Sequence, residues 1–217
     1  MKENRSLTVI ALIVAILALS MGFAAFSNTI TIKSNAVVTP DNTTMRVVFS
    51  QSSNSEVTGG EHAVLPDDDT YGDPGTIDNS ETGDSVLKAL HAKFTAPGQS
   101  VTYNTNLYIY NAGNYQAQIK SIVFNNAPGS STYKKCTAGT GSTDELVQSA
   151  CNGITISVKV GTKTATPLDP TLNNQIIGIH ESLPVEVTIS YGGEIYSDGP
   201  FEVAFGDIVV TSSSSVN

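Results

Sequence analysis

The 217-residue chain carries 20 Asp and Glu against 11 Lys and Arg, a formal charge of −9, with only 14% of residues charged. An acidic surface repels phosphate backbones, which excludes nucleic acid as the expected partner. Ser, Thr, Asn and Gly fill much of the remainder, a mixture common in extracellular β-proteins with hydroxyl- and amide-rich solvent faces.

In chain order, the first feature is Leu7 to Phe26, a run without a charged residue behind a head that carries Lys2 and Arg5. A positive head, an apolar run and the small residues Gly22, Ala24 and Ala25 form an export signal. Two readings stay open. Cleavage after Ala24 by the export and signal peptidase machinery makes 1–24 a signal peptide and leaves 193 residues (217 − 24), enough for one all-β domain with a sizeable core. Alternatively, residues 7–26 remain as an anchor, since the run is about the ~20 residues that span a bilayer. Both readings export everything beyond residue 30, and membrane contact is expected only through residues 7–26. Residues 25–38 then read as an N-terminal strand, and residues 39–217 as the main domain.

Period-two alternation dominates after the leader. Met45 to Ser50 reads as a short strand. Residues 51–83 read as a long polar loop in which Pro66 and Pro74 forbid a central strand. Val86 to Phe94 reads as one strand with Val86, Leu90 and Phe94 on one face. After a Pro97-Gly98 turn, Ser100 to Asn111 alternates Val101, Tyr103, Leu107 and Ile109 against polar neighbours. The turn Asn111-Ala-Gly113-Asn114 predicts a hairpin with Tyr115 to Asn125. Residues 126–153 form an insertion in which Ser142 and Glu145 make a capping-box pattern, predicting a short helix over 143–151. Strands are expected at 154–160, 176–180, 184–191 and 201–211, with a polar tail beyond Ser212. About nine antiparallel strands and one insertion helix predict an all-β sandwich or jelly roll.

Candidate chemistry is sparse. Cys136 and Cys151 enclose fourteen residues, and an even pair in an oxidising compartment is most simply a disulfide worth ~3 kcal/mol. His62, His91 and His180 are far apart, with no HExxH spacing among them. Glu194 and Asp198 flank a turn and suggest solvation. No nucleophile or phosphate-loop motif occurs, so no catalytic residue is assigned and the chain is expected not to be an enzyme. Asp67, Asp69, Gly72 and Asp78 occupy positions one, three, six and twelve of a calcium-loop spacing. Tyr71 at position five and Pro74 within the loop favour a plain solvated acidic loop. No other metal or cofactor is expected.

Three stretches resemble the TasA/camelysin-like exported proteins. They are Gly22-Phe-Ala-Ala-Phe-Ser-Asn28, then Phe94-Thr-Ala-Pro97-Gly98-Gln-Ser-Val101 followed by Asn111-Ala-Gly113-Asn114, and the closing segment Phe201 to Thr211. The resemblance implies a jelly-roll subunit of an extracellular fibre or biofilm matrix, processed by a dedicated signal peptidase. It implies self-association into filaments through a freed strand, Ala25 to Lys33, with Ala25 at its start and Phe26, Ile30 and Ile32 filling pockets in the next subunit. The alternative function is a membrane-anchored cell-surface binding module held by residues 7–26.

Overall fold

The computed structural model describes residues 46–57, 60–79, 85–125, 133–138, 144–193 and 201–214. They form an antiparallel β-sandwich with one short helix, α1 (Asp144–Asn152). The expected leader and the 25–38 strand lie outside the described residues.

The larger layer is built on three segments that break along one line. β3 (Gly72–Asp73) and β4 (Gly75–Asp78) pair with β6 (His91–Phe94) and β5 (Val86–Lys88) in one continuous register, Gly72 opposite Ala92 and Asp78 opposite Val86. β5 and β6 pair in turn with β16 (Ile208–Ser214) and β15 (Phe201–Phe205), Ile208 opposite Leu87 and Phe201 opposite Phe94. Phe205 N–H donates to the Leu90 carbonyl at 3.0 Å and carries this register across the gap. The breaks fall at Pro74, which has no N–H to give, at Ala89, whose φ is 56°, and at Gly206. At each break the inward-facing set slips by one residue. Phe201, Val203 and Phe205 are buried before the break, and Ile208 and Val210 after it. The layer is therefore one sheet with a crease. β9 (Ala117–Phe124) flanks β16, β13 (Thr171–Ile177) flanks β9, β10 (Lys134–Ala138) flanks β15 and β2 (Glu61–Val64) flanks β4.

The opposing layer runs β1 (Val47–Ser50), β8 (Tyr108–Asn111), β14 (Ser182–Tyr191), β11 (Ile154–Val160) and β12 (Lys163–Ala165). β7 (Ser100–Tyr103) lies in line with β8 along β14. The intervening turn carries Asn106 at φ 51°.

Aromatic side chains lock the layers. Tyr191 on β14 packs against Phe94 and Phe201, with ring centroids 5.9 and 5.1 Å away. Buried Tyr103 reaches across from β7, and its hydroxyl lies 2.6 Å from the Asp73 carbonyl and 2.8 Å from that of His91. Gly72 makes this approach possible, because a Cβ there would sit 2.8 Å from Val101 Cγ2 and 2.9 Å from the Tyr103 hydroxyl.

Several expectations need correction. The 100–111 and 115–125 segments are not a hairpin: β8 pairs with β1 and β14, whereas β9 pairs with β13 and β16. Buried Asn111 directs this crossing, donating its amide to the carbonyls of Tyr115 (2.8 Å) and Gly178 (3.0 Å). Residues 51–83 are not simply a loop, since β2, β3 and β4 lie within them and both prolines fall between strands. The 86–94, 100–111 and 201–211 segments are each interrupted, and Val86 is not on the buried face, where Leu87 takes its place. The strand expected at 176–180 ends at Ile177, and His180 sits in a turn at φ 56°. Ser212 to Ser214 pair with β9 and belong to the sheet, not to a tail. About nine strands were expected, and sixteen occur among the described residues: three segments are each split in two, and β2, β3, β4, β10 and β12 (Lys163–Ala165) were not expected.

Burial, the largest cause, pushes the Tyr103 pKa well above its ordinary 10.0. The folded state therefore keeps a proton that the unfolded chain releases, so this contribution is intact below pH 10 and is lost as pH rises above it. Urea midpoints measured from pH 8 to pH 11 should fall above pH 10, and Tyr103→Phe should flatten that fall. At pH 7 the same substitution should cost about 1–2 kcal/mol through the lost cross-layer hydrogen bond.

Candidate functional site: closed strand edges and a stapled insertion

An open strand edge is a row of unpaired donors and acceptors that will pair with any free strand. In this sandwich, side chains close such edges one residue at a time. At β1, Phe49 N–H donates to Ser85 Oγ (2.6 Å) and the Asn79 amide donates to the Phe49 carbonyl (3.0 Å). The Asn79 amide also reaches the Val57 carbonyl (3.0 Å), and the Ser85 hydroxyl donates to Asn79 Oδ1. Both side chains are buried. At the free edge of β7, Asp67 mimics a strand residue. Its N–H donates to the Thr102 carbonyl (2.8 Å), and its carboxylate accepts Thr102 N–H (2.7 Å). At β2, the Gln51 amide donates to the Ala63 carbonyl.

This geometry places the three acidic residues of the calcium spacing. Asp67 is committed to Thr102, Asp69 is exposed in the turn, and buried Asp78 on β4 pairs with Lys88 on β5. Among the described residues, no three His, Cys, Asp or Glu side chains gather closely enough to hold a metal ion. Asp67, Asp69 and Asp78 are thus not brought together. Asp73 belongs to another arrangement, 2.9 Å from Lys93 Nζ and 3.7 Å from His91 Nδ1. The hydrogen bond to Asp73 is the main cause raising the Lys93 pKa. His62 lies on β2 and His180 stacks beside Tyr110, so the three histidines share no site.

Cys136 on β10 and Cys151 at the end of α1 are bridged, with Cα atoms 6.0 Å apart. The helix buries Val147, Ala150 and Cys151. Lys134 secures its C-terminal end, donating to the carbonyls of Cys151 (2.7 Å) and Ile154 (2.8 Å), where a cation offsets the helix dipole. Burial lowers the Lys134 pKa.

The proposed cleavage residues Gly22, Ala24 and Ala25, and the proposed donor residues Phe26, Ile30 and Ile32, lie outside the described residues. Among the described residues, no helix is long and apolar enough to cross a membrane. Comparison with protein-family models, curated proteins and solved structures finds no match. The edge-closing residues Gln51, Asp67, Asn79 and Ser85 were not legible in the sequence in that role. All four sit in polar, turn-rich stretches where nothing sets them apart from solvated neighbours.

Two outcomes follow from these commitments. Cys136→Ser with Cys151→Ser should lower unfolding free energy by about 3 kcal/mol in urea titration. Millimolar calcium should leave the melting temperature unchanged; a rise of several degrees would mean that Asp67 leaves Thr102 to bind the ion.

Proposed function

We propose that the chain is a structural subunit of an extracellular fibre or biofilm matrix, assembling when its N-terminal strand, Ala25 to Lys33, adds to a neighbouring subunit. The observation that carries this reading is the residue-by-residue closure of strand edges at Phe49, Thr102 and Ala63. A subunit that grows by strand addition must stop its other edges from pairing at random. The segment offered for addition alternates Phe26, Ile30 and Ile32 with polar residues behind a processing-type leader. The bridged cysteine pair fits an oxidising extracellular setting. The role is non-catalytic, and the partners are further subunits and the export machinery. One observation favours the anchored binding module instead: the apolar run is long enough to remain in a bilayer.

The deciding measurement is the N-terminal sequence and intact mass of the surface-exposed protein from a host with its own peptidase. A start at Ala25 is expected. Deleting Ala25 to Lys33 should then abolish fibres, seen by sedimentation and electron microscopy, while leaving a folded monomer. Full-length chain found only in the membrane fraction would replace the fibre reading with the anchored module.

A further inference from the structure

Lys88 Nζ lies in direct contact with Asp78 Oδ2 across the β4–β5 pair, and their side chains are 30% and 7% exposed. The register puts them on one face of the sheet. Asp78 stands opposite Val86 and Lys88 opposite Thr76, so the lysine reaches its partner along the diagonal. In the same row, Glu61 of β2 stands directly opposite Asp78, and Val209 of β16 stands opposite Val86. The Asp78 carboxyl is thus flanked by valines on one side and by a second carboxyl on the other. Directly opposed side chains have Cβ atoms about 5 Å apart, within the reach of a glutamate. Other cations of the sandwich lack this setting. Arg46 meets Glu56 through a guanidinium, which is delocalised and always charged, and the Asp73 carboxylate beside Lys93 is 44% exposed. Lys134 is directed at the carbonyls of Cys151 and Ile154.

We infer that Lys88 and Asp78 condense into an amide that joins β4 to β5 covalently, with Glu61 relaying the proton. Nζ, as the free amine, attacks Asp78 Cγ; the C–N bond forms and one C–O bond breaks. Starting from ammonium and carboxylate, the nitrogen keeps one of its three protons. The other two leave with one carboxylate oxygen as water. Nothing is oxidised or reduced, and no activating group is consumed. Glu61 takes a proton from the attacking amine and returns it to the departing oxygen. Its own exposure gives the water an exit to solvent. Two effects favour the amide. Groups held in contact react as one molecule, without the entropy cost of an encounter. A carboxylate this well covered and its ammonium also carry a desolvation cost that a neutral amide does not. The bond closes a loop of nine residues (88 − 78 − 1), among them Asn79 and Ser85, which close the strand edge at Phe49. The amide therefore makes that edge closure permanent. The inference is independent of fibre assembly, because the reaction needs only the folded sandwich.

The experiment is mass spectrometry of the purified, folded full chain. Its intact mass should lie one water below that of the sequence read from its determined N-terminus, with the disulfide counted. Trypsin cuts an unlinked chain after Arg46 and Lys88 but does not cut at an acylated lysine. The linked chain should therefore yield residues 47–93 as one peptide, lighter by one water. A further cut after Glu81 should leave the two halves of that peptide joined. Lys88→Arg keeps the charge pair but cannot form this amide, and it should show the full mass. Glu61→Gln leaves both reactants in place and should lose water about a hundredfold more slowly after pulse synthesis. Full mass in the wild type, with cleavage after Lys88, would overturn the inference. So would an equal loss of water from Lys88→Arg, which would place the loss elsewhere. An undiminished rate in Glu61→Gln would overturn the relay assigned to Glu61.

Discussion

The crease through Pro74, Ala89 and Gly206 is the constraint on which the larger layer depends. Three neighbouring segments keep their pairing register across it while the residues facing inward slip by one. A proline that cannot donate, an alanine forced to positive φ and a glycine are poor choices for a flat strand, and each alone would weaken it. Side by side, they let the sheet turn once without losing its ladder. Tyr103 spans this line from the opposite layer, its hydroxyl near carbonyls of both β3 and β6. The Phe94–Tyr191–Phe201 cluster lies on one side of the crease and ties the same two layers. Aromatic rings contribute most of their stabilisation through the apolar area they bury, and their mutual geometry adds ~0.5–1.5 kcal/mol per pair.

Much of the fold was legible because alternation reports faces. Ile154 to Val160 alternates without interruption and is β11, buried at every second residue. Val101, Tyr103, Leu107 and Ile109 are all buried as their spacing requires. The capping pattern and the cysteine spacing were local signals, and the helix and the bridge follow them. Alternation does not report partners, however. Asn111-Ala-Gly113-Asn114 has the composition of a hairpin turn, yet the buried Asn111 amide uses it to cross between layers. The crease was equally hidden, since Ala89 carries no sign that its neighbours' strands break at the same level. Polar stretches concealed the edge-closing residues, whose role depends on contacts such as the one between Phe49 and Ser85, 36 residues apart.

Closing edges with side chains has a different consequence from closing them with another strand. A strand satisfies a whole edge, whereas Asp67 satisfies one residue of β7 with its own backbone and carboxylate. The remaining outer groups are left to water. Asn79 and Ser85 do the same for Phe49, using buried amide and hydroxyl groups bonded to each other. A buried, mutually satisfied pair of this kind is rigid, since displacing it would leave polar groups unpaired at about 1–3 kcal/mol each. Random edge pairing is thereby discouraged at defined points while the layer remains a single antiparallel sheet.

Charge sets the range over which like copies can meet. At physiological ionic strength the repulsion between copies of net charge −9 decays over a screening length of ~8 Å. Repulsion is therefore felt only once surfaces come within about that distance, and what then decides the outcome is the chemistry at the point of contact. Backbone pairing is short-ranged and gives register, but it is nearly indifferent to sequence. Any meeting of like copies therefore turns on the groups that touch last, and at the strand edges those at Phe49, Thr102 and Ala63 are already taken by side chains of the same chain.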